Sequence, residues 1–421
     1  MRVELPCGHE KIGLVLPDRT LVLEPRPMPP LEDPQGAVTA AMEEPIAGPP
    51  LRELAANRKQ ACIVISDNTR PVPNRVILPP LIETLHAAGL DRSRITILIA
   101  TGTHRANTGK ELEALVGPRI AAEYTIINHC CDDPREYRRI HELDKAPIEI
   151  NARYLDADLK ILTGLIEPHP FAGFSGGAKS ILPGLSSFET MKYMHSYEMI
   201  AHPGVDNCIL EGNPFYEATL QVARLAGVDF VLNVVINKEK ETAGVFAGEV
   251  AAAHLAGCRM VEAFSVIPLE EPADLIITTG GGHPLDATFY QSTKGLIGAR
   301  AICRKGGTVV VVCACEQGVG SDNFCELVDA CRGEEAFRRR YADPDHFILD
   351  QWAVQRFYQA LGRMGDVLVY SPGLSASQLE PFGLSKIHDL QHTLDRLSRE
   401  HGRIAVIPQG PYVVGTVNPV S

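Results

Sequence analysis

Short apolar runs that end in polar turns and hand over to helical stretches recur along this chain, and that alternation limits its fold more than any other feature. Ala61-Cys-Ile-Val-Ile-Ser runs into the turn Asp67-Asn-Thr-Arg-Pro. A helix is expected from about Pro79 to Ala88, then the strand Ile95 to Ala100 and the turn Thr101-Gly-Thr-His. Ala157 to Leu162 and Phe230 to Ile236 supply two more strands. The pattern restarts with Leu275 to Thr279, the turn Gly280-Gly-Gly-His-Pro, a helix from about Ala287 to Arg304 and the strand Thr308 to Cys313. Helices near Glu334 to Tyr341 and Ala353 to Leu361 follow, with strands at Val367 to Tyr370 and Ile404 to Pro408. Strands that alternate with helices build mainly parallel sheets. Ligands of such sheets bind beyond the carboxyl ends of the strands, so chemistry is expected in the turns after Ser66, Ala100 and Thr163.

A chain of 421 residues exceeds what one hydrophobic core usually organises. Two α/β domains with mainly parallel sheets are expected, with the active site in the cleft between them. The Pro- and acid-rich stretch Val266-Ile-Pro-Leu-Glu-Glu-Pro-Ala marks the boundary. That gives an N-terminal domain over 1–266 and a C-terminal domain over 267–421. The first fifty residues read as short strands, a Pro-rich stretch and a helical piece around Gly36 to Glu44, an entry segment of the first domain.

A formal charge of −12 opposes binding to a polyanion, which excludes a general nucleic-acid or anionic-membrane partner. No apolar run approaches the length of a membrane span, and the start, Met1-Arg-Val-Glu-Leu-Pro, lacks the pattern of a signal peptide. Most of the eleven cysteines, among them Cys62, Cys258, Cys303, Cys313 and Cys315, lie in apolar or helical stretches without a CxxC pair. They read as reduced core residues of a cytoplasmic protein.

The segment His169-Pro-Phe-Ala-Gly-Phe-Ser-Gly-Gly-Ala-Lys-Ser-Ile-Leu-Pro-Gly gathers glycines around one lysine. Glycines let backbone approach a ligand closely and offer N–H donors to an anion. One reading is a nucleotide P-loop, since Gly173 to Ser180 nearly fits GxxxxGK[ST], but Ala178 breaks the pattern and several residues separate the loop from the preceding strand. The other has Lys179 bonded to a cofactor and His195, sixteen residues on, ligating a metal. Gly280-Gly-Gly-His-Pro-Leu-Asp lacks the spacing of a dinucleotide fingerprint. His129, His202 and His283 show no metal-ligand spacing and read as structural or peripheral.

Pro168-His169, Gly173 to Gly184 around Lys179, and His195-Ser together resemble the signature of the nickel-dependent lactate racemase family. The resemblance extends from about Asp67 to Trp352. Asp67-Asn-Thr-Arg70-Pro is similar to that family's cofactor-contacting turn, Thr101-Gly-Thr-His104-Arg to the turn holding one catalytic histidine, and Tyr290-Gln291-Ser-Thr-Lys294-Gly to its Gln and Lys near substrate and cofactor. The resemblance implies a pyridinium-3-thioamide-5-thiocarboxylic acid mononucleotide joined to Lys179 by a thioamide, with nickel held by His195. It implies His104 and His169 as the catalytic pair, and Asp67, Asn68, Thr69, Arg70, Gln291 and Lys294 as cofactor-binding residues. Arg70, Lys294, Tyr290 and Trp352 would line the substrate.

Imidazole suits nickel. Inverting a 2-hydroxyacid means breaking a Cα–H bond that is barely acidic beside a carboxylate. Removing the hydrogen as hydride to an electrophilic cofactor leaves a neutral ketone, provided a base takes the hydroxyl proton. One base per enantiomer is needed, and two histidines meet that need near neutral pH. Arg70 or Lys294 can hold the substrate carboxylate, Arg in bidentate fashion. Asp67 can cap its turn or contact a ribose, and the amides of Asn68 and Thr69 can face a phosphate. The expected activity is a lactate-like 2-hydroxyacid racemase or epimerase, served by cofactor-biosynthesis proteins. Alternatives on the same core are epimerisation of a larger sugar acid or racemisation of malate or an aromatic hydroxyacid. From another class, the alternative is a P-loop-like nucleotide-binding module.

Overall fold

The computed structural model describes residues 1–417. The chain forms two compact units, one comprising Pro27–His195 and His202–Ala263, the other Met1–Arg26, Ser196–Ala201 and Phe264 onward.

The first unit is built on six strands: β1 (Ala61–Ser66), β2 (Ile95–Ala100), β3 (Thr125–Asn128), β4 (Leu159–Leu165), β5 (Phe230–Ile236) and β6 (Thr242–Gly248). Their order is β6-β5-β4-β1-β2-β3, parallel except for β6, which pairs antiparallel with β5. The central strands are apolar on both faces because helices cover both. Ile63, Ile65, Ile97, Ile161 and Leu232 lie in one core with Leu78, Leu81 and Leu85 of the helix Asn74–Ala87. That helix begins earlier than expected and carries Pro79 and Pro80 in its interior. An interior proline costs about 3 kcal/mol. Five fully or largely buried side chains, Ile77, Leu78, Leu81, Ile82 and Leu85, offset it at roughly 1.5–3 kcal/mol each. A hairpin of Tyr137–Leu143 and Ala146–Asn151 stands apart from this sheet.

In the second unit β7 (Ala273–Thr279), β8 (Cys303–Val312), β9 (Met364–Tyr370), β10 (Ser385–Ile387) and β11 (Ile404–Ile407) join the short strand Leu21–Val22 in the order β10-β9-β8-β7-β11-Leu21–Val22, all parallel. The chain start therefore belongs here rather than with the domain it precedes. Leu21–Val22 extends this sheet at β11, and the hairpin Arg2–Cys7/Glu10–Val15 buries Val3, Leu5 and Leu14 in a core with Leu275, Val310 and Val406. Short strands without long apolar runs carry no sign in sequence of which sheet they join. Ser196–Ala201 joins the same unit, with the Tyr197 carbonyl accepting from Gln355 Nε2 at 2.8 Å and the Tyr197 ring packed on Phe337. No described helix is long and apolar enough to cross a membrane.

Candidate active site

Three turns of the first unit carry the titratable groups, and each follows the carboxyl end of a strand. Asp67 leaves β1 and is buried; His104 lies four residues past β2 and is exposed. His104 Nδ1 donates to Asp67 Oδ2 at 2.6 Å, while Asp67 Oδ1 accepts from the Thr69 amide at 3.1 Å and its hydroxyl at 2.5 Å. Burial pushes the Asp67 carboxyl up, but the bonds from His104 and Thr69 outweigh it and hold the group below its ordinary range. With Nδ1–H committed to the carboxylate, a neutral His104 presents a free lone pair at Nε2.

After β4 the chain folds a minimal hairpin, Pro168–His169 against Gly173–Phe174, before the single 3₁₀ turn Gly177–Ser180 that carries Lys179. A P-loop joins strand to loop directly and opens a long helix; neither feature is present here. The loop is fixed from below. Ser175 Oγ donates to the Leu165 carbonyl at 2.7 Å, the Gly177 amide donates to Asn233 Oδ1 at 3.1 Å, and His254 Nε2 donates to the Ser175 carbonyl at 2.9 Å. Gly177 has φ +54°, and a Cβ there would meet the His254 ring at 2.8 Å. The glycine admits the protein's own buried His254.

His169 is buried, and its Nδ1 accepts from the Phe171 and Ala172 amides at 3.2 and 3.3 Å. Asn213 secures this bend, donating from Nδ2 to the Phe171 carbonyl at 2.8 Å while capping the helix Pro214–Ala226. His195 closes the helix Phe188–Met194, and its Nδ1 donates to the Met191 carbonyl at 3.0 Å, so Nε2 is the lone-pair nitrogen. Burial, with some help from Lys179, pulls its pKa down to about 4 despite the bond to Met191. The ring is therefore neutral at pH 7, the state a metal requires. Phe171 and Phe215 meet it edge-on at 5.8 and 5.6 Å.

Lys179 is half-buried, and its amine is desolvated. Burial and the nearby Arg70 lower its pKa to about 7, against the opposing pull of Glu167 and Asp67. Arg70 Nη1 pairs with Glu167 Oε1 at 2.6 Å. The electrostatic influence of Asp67, Arg70 and Glu167 on Lys179, and of Lys179 on His195, makes these side chains one neighbourhood. His169 is linked to it through Phe171, whose ring it meets at 5.5 Å.

Other expected site residues are more committed to their own structure. The Asn68 amide donates to Asn107 Oδ1 at 3.3 Å and the Thr69 amide to Asp67, so both backbone donors proposed for a phosphate already have acceptors. In the second unit, Gln291 and Lys294 lie on the helix Phe289–Ala299, and Gln291 Oε1 is buried without a hydrogen-bond partner. Tyr290 packs on Phe324, and its hydroxyl donates to Asp350 at 3.0 Å. Trp352 lies in the first turn of the helix Gln351–Leu361, its ring beside Phe347. Glu167, Phe171, Asn213 and Phe215 were not singled out by sequence. Glu167 stands two residues before His169, and an acid there beside the Arg70 turn was the signal available.

The pattern of the lactate racemase N-terminal domain matches residues 7–207 and that of the lactate racemase C-terminal domain matches residues 269–415. The chain is 32% identical to the lactate racemase of Thermoanaerobacterium thermosaccharolyticum over 98% of both chains, and 35% identical to that of Lactiplantibacillus plantarum over 90% of both. The structure of the T. thermosaccharolyticum lactate racemase apoprotein superposes with a TM-score of 0.91 at 31% identity, covering all of both chains. A Thermotoga maritima protein shares the fold with a TM-score of 0.67 at 18% identity, covering 92% of this chain and 99% of its own. By these likenesses and by the motifs from Asp67 to Trp352, the chain belongs to the lactate racemase family, a family of isomerases.

Proposed function

We propose that this enzyme inverts C2 of a lactate-like 2-hydroxyacid with a nickel-pincer nucleotide tethered to Lys179. The observation that carries the reading is the gathering of His104–Asp67, Lys179 and His195 at the carboxyl end of one parallel sheet in a chain of this family.

The donor set fits that group. Lys179, with a pKa near 7, is largely an uncharged amine at slightly alkaline pH and so is competent to form a thioamide. His195 offers a neutral nitrogen whose partner N–H is held by a backbone carbonyl, the arrangement that orients imidazole ligands. When bound, the cofactor supplies an acceptor for the C2 hydrogen as hydride.

The protein's own residues then manage the hydroxyl proton and the carboxylate. His104 Nε2 takes the proton, and Asp67 stabilises the imidazolium that results. The other member of the pair, His169, is assigned by the family motifs to the same proton exchange at the opposite face, with its ring held at Nδ1 by the Phe171 and Ala172 amides. Arg70, Gln291 and Lys294 are assigned to cofactor and carboxylate by the family motifs. Tyr290 and Trp352 are assigned to the substrate on the same ground. Cofactor-biosynthesis proteins are the expected partners, and eleven free thiols suit a reducing cytoplasm.

The test is to load the chain with the cofactor and compare it with Lys179→Ala. The loaded wild type should carry a mass surplus on the Lys179 peptide and racemise lactate. The variant should lose both, and retained activity would overturn the tether. A panel of 2-hydroxyacids assayed with the loaded enzyme separates lactate from a larger sugar acid, malate or an aromatic substrate.

A further inference from the structure

A second cluster with metal-binding chemistry lies in the other unit, outside everything assigned above. His9, His283 and Glu316 are exposed, and one candidate ligand atom from each lies within 4.8 Å of the other two. The His9 and His283 rings are stacked with centroids 3.8 Å apart.

The three come from distant parts of the sequence, and the fold holds them together by backbone. His283 lies on the loop after β7 and Glu316 on the loop after β8, adjacent parallel strands, so both loops leave the same end of the sheet. His9 sits at the tip of the hairpin Arg2–Cys7/Glu10–Val15. The His283 amide donates to the Gly8 carbonyl at 2.9 Å. Buried Asp286 ties the remaining edges, its Oδ2 accepting from the Gly8 amide at 2.8 Å and the Ala314 amide at 3.1 Å. Gly8 has φ +61°, and a Cβ there would lie 3.0 Å from both Ala314 Cβ and Glu316 Oε1. Only glycine lets the hairpin tip dock this closely beside the carboxylate.

We propose that His9, His283 and Glu316 form a binding site for a divalent transition metal of the zinc class, stapling the hairpin tip to the loops after β7 and β8. Two imidazoles and one carboxylate are a ligand set that zinc and nickel accept, and three protein ligands leave a position for water. Ligand atoms around a tetrahedral zinc are about 3.3 Å apart, so side-chain rotation must close the cluster by about 1.5 Å at most. Exposed side chains can make that adjustment, while the buried Asp286 network keeps the backbone in place. The site does not depend on the racemase reading, since none of its residues takes part in it.

The experiment titrates Zn²⁺ alone into the full chain, purified without cofactor and stripped with chelator, and into His9→Ala, His283→Ala, Glu316→Gln and His195→Ala. About one zinc per chain is expected in the wild type and in His195→Ala, with affinity falling at least ~10-fold in His9→Ala and His283→Ala and less in Glu316→Gln. Zinc should also raise the melting temperature of the wild type and leave that of His9→Ala and His283→Ala unmoved. Absence of binding in the wild type, binding indifferent to both histidine substitutions, or binding abolished by His195→Ala alone would each overturn the site. All three residues are exposed, so the variants should fold, and their metal-free melting temperatures check this.

Discussion

The two histidines assigned to proton transfer sit in unlike surroundings. His104 is exposed, on a turn after β2, and is held by the buried carboxylate of Asp67. His169 is buried in a minimal hairpin after β4 and is held by two backbone amides. The carboxylate accepts the Nδ1 hydrogen of His104 and directs the lone pair to Nε2. The two amide N–H groups hold the His169 ring by Nδ1 and bring no charge to it. The two rings are therefore held by unlike partners, a carboxylate at one and neutral amides at the other. For a racemase the equilibrium constant is one by symmetry, so the ratio of kcat/KM for the two enantiomers is fixed, whatever the site looks like. Asymmetry of this kind can appear only in kcat and KM taken separately, or in a half-reaction.

The largest effects should come from removing either ring. In loaded enzyme, His104→Ala and His169→Ala should each lower kcat/KM by roughly 10²–10⁴-fold, the contribution of a positioned acid or base, and equally from both enantiomers. A single turnover, quenched and assayed for trapped 2-oxoacid, separates the sides. His169→Ala should still oxidise the enantiomer whose hydroxyl faces His104 and fail with the other, and His104→Ala should show the reverse preference. Equal 2-oxoacid from both enantiomers in either variant would break the assignment of one histidine to each face.

The next effect tests what holds His104. In Asp67→Asn, Thr69 still donates twice to one side-chain atom, which must be the amide oxygen. The amide NH₂ then faces His104 Nδ1 and moves the hydrogen to Nε2, the wrong tautomer for a base. A loss of roughly 10–10²-fold in kcat/KM is expected, smaller than deleting the ring. Nitrogen NMR of His104 should report the change of tautomer in the unloaded protein. Loss of activity without it would mean that Asp67 acts by charge alone.

Residue types and their order point to candidate site residues in the sequence, while the architecture around them leaves fewer signs. Lys179, His195, His104 and His169 stand out in sequence because their types, order and spacing resemble the family's motifs. β1, β2, β5 and β7 were legible as apolar runs beside polar turns. What holds those side chains was not legible. The carbonyl of Met191, the amides of Phe171 and Ala172, and Asn213 act through backbone groups or from distant segments, which leave no trace in residue type. In the Gly-rich loop, Gly177 makes room for His254, a residue 77 positions on, and spacing does not reveal that contact. The nearness of His283 to His9 leaves no sign in sequence either, since 274 positions separate them. The chain start joined the second unit because sheet pairing, not adjacency in sequence, decides membership.

The smallest effect concerns Lys179 and the charged side of the site. Arg70 lowers its pKa, whereas Glu167 and Asp67 raise it, and the amides around His169 have no counterpart to these charges. With a pKa of about 7, the amine is mostly protonated a unit below that value and mostly free a unit above it. Reaction of Lys179 with a small acylating reagent, followed by peptide mass spectrometry, should therefore rise through neutral pH and level off. Ordinary lysines, near 10.4, keep gaining reactivity well beyond that point. Glu167→Gln removes an attraction for the ammonium and should move the Lys179 midpoint to lower pH. Arg70→Gln removes a repulsion and should move it higher. His169→Gln should leave it in place, because that side of the site acts by hydrogen-bond geometry and carries no charge onto Lys179. A midpoint that followed His169→Gln as strongly as Glu167→Gln would show that the two sides are electrostatically alike, and the contrast between them would fail.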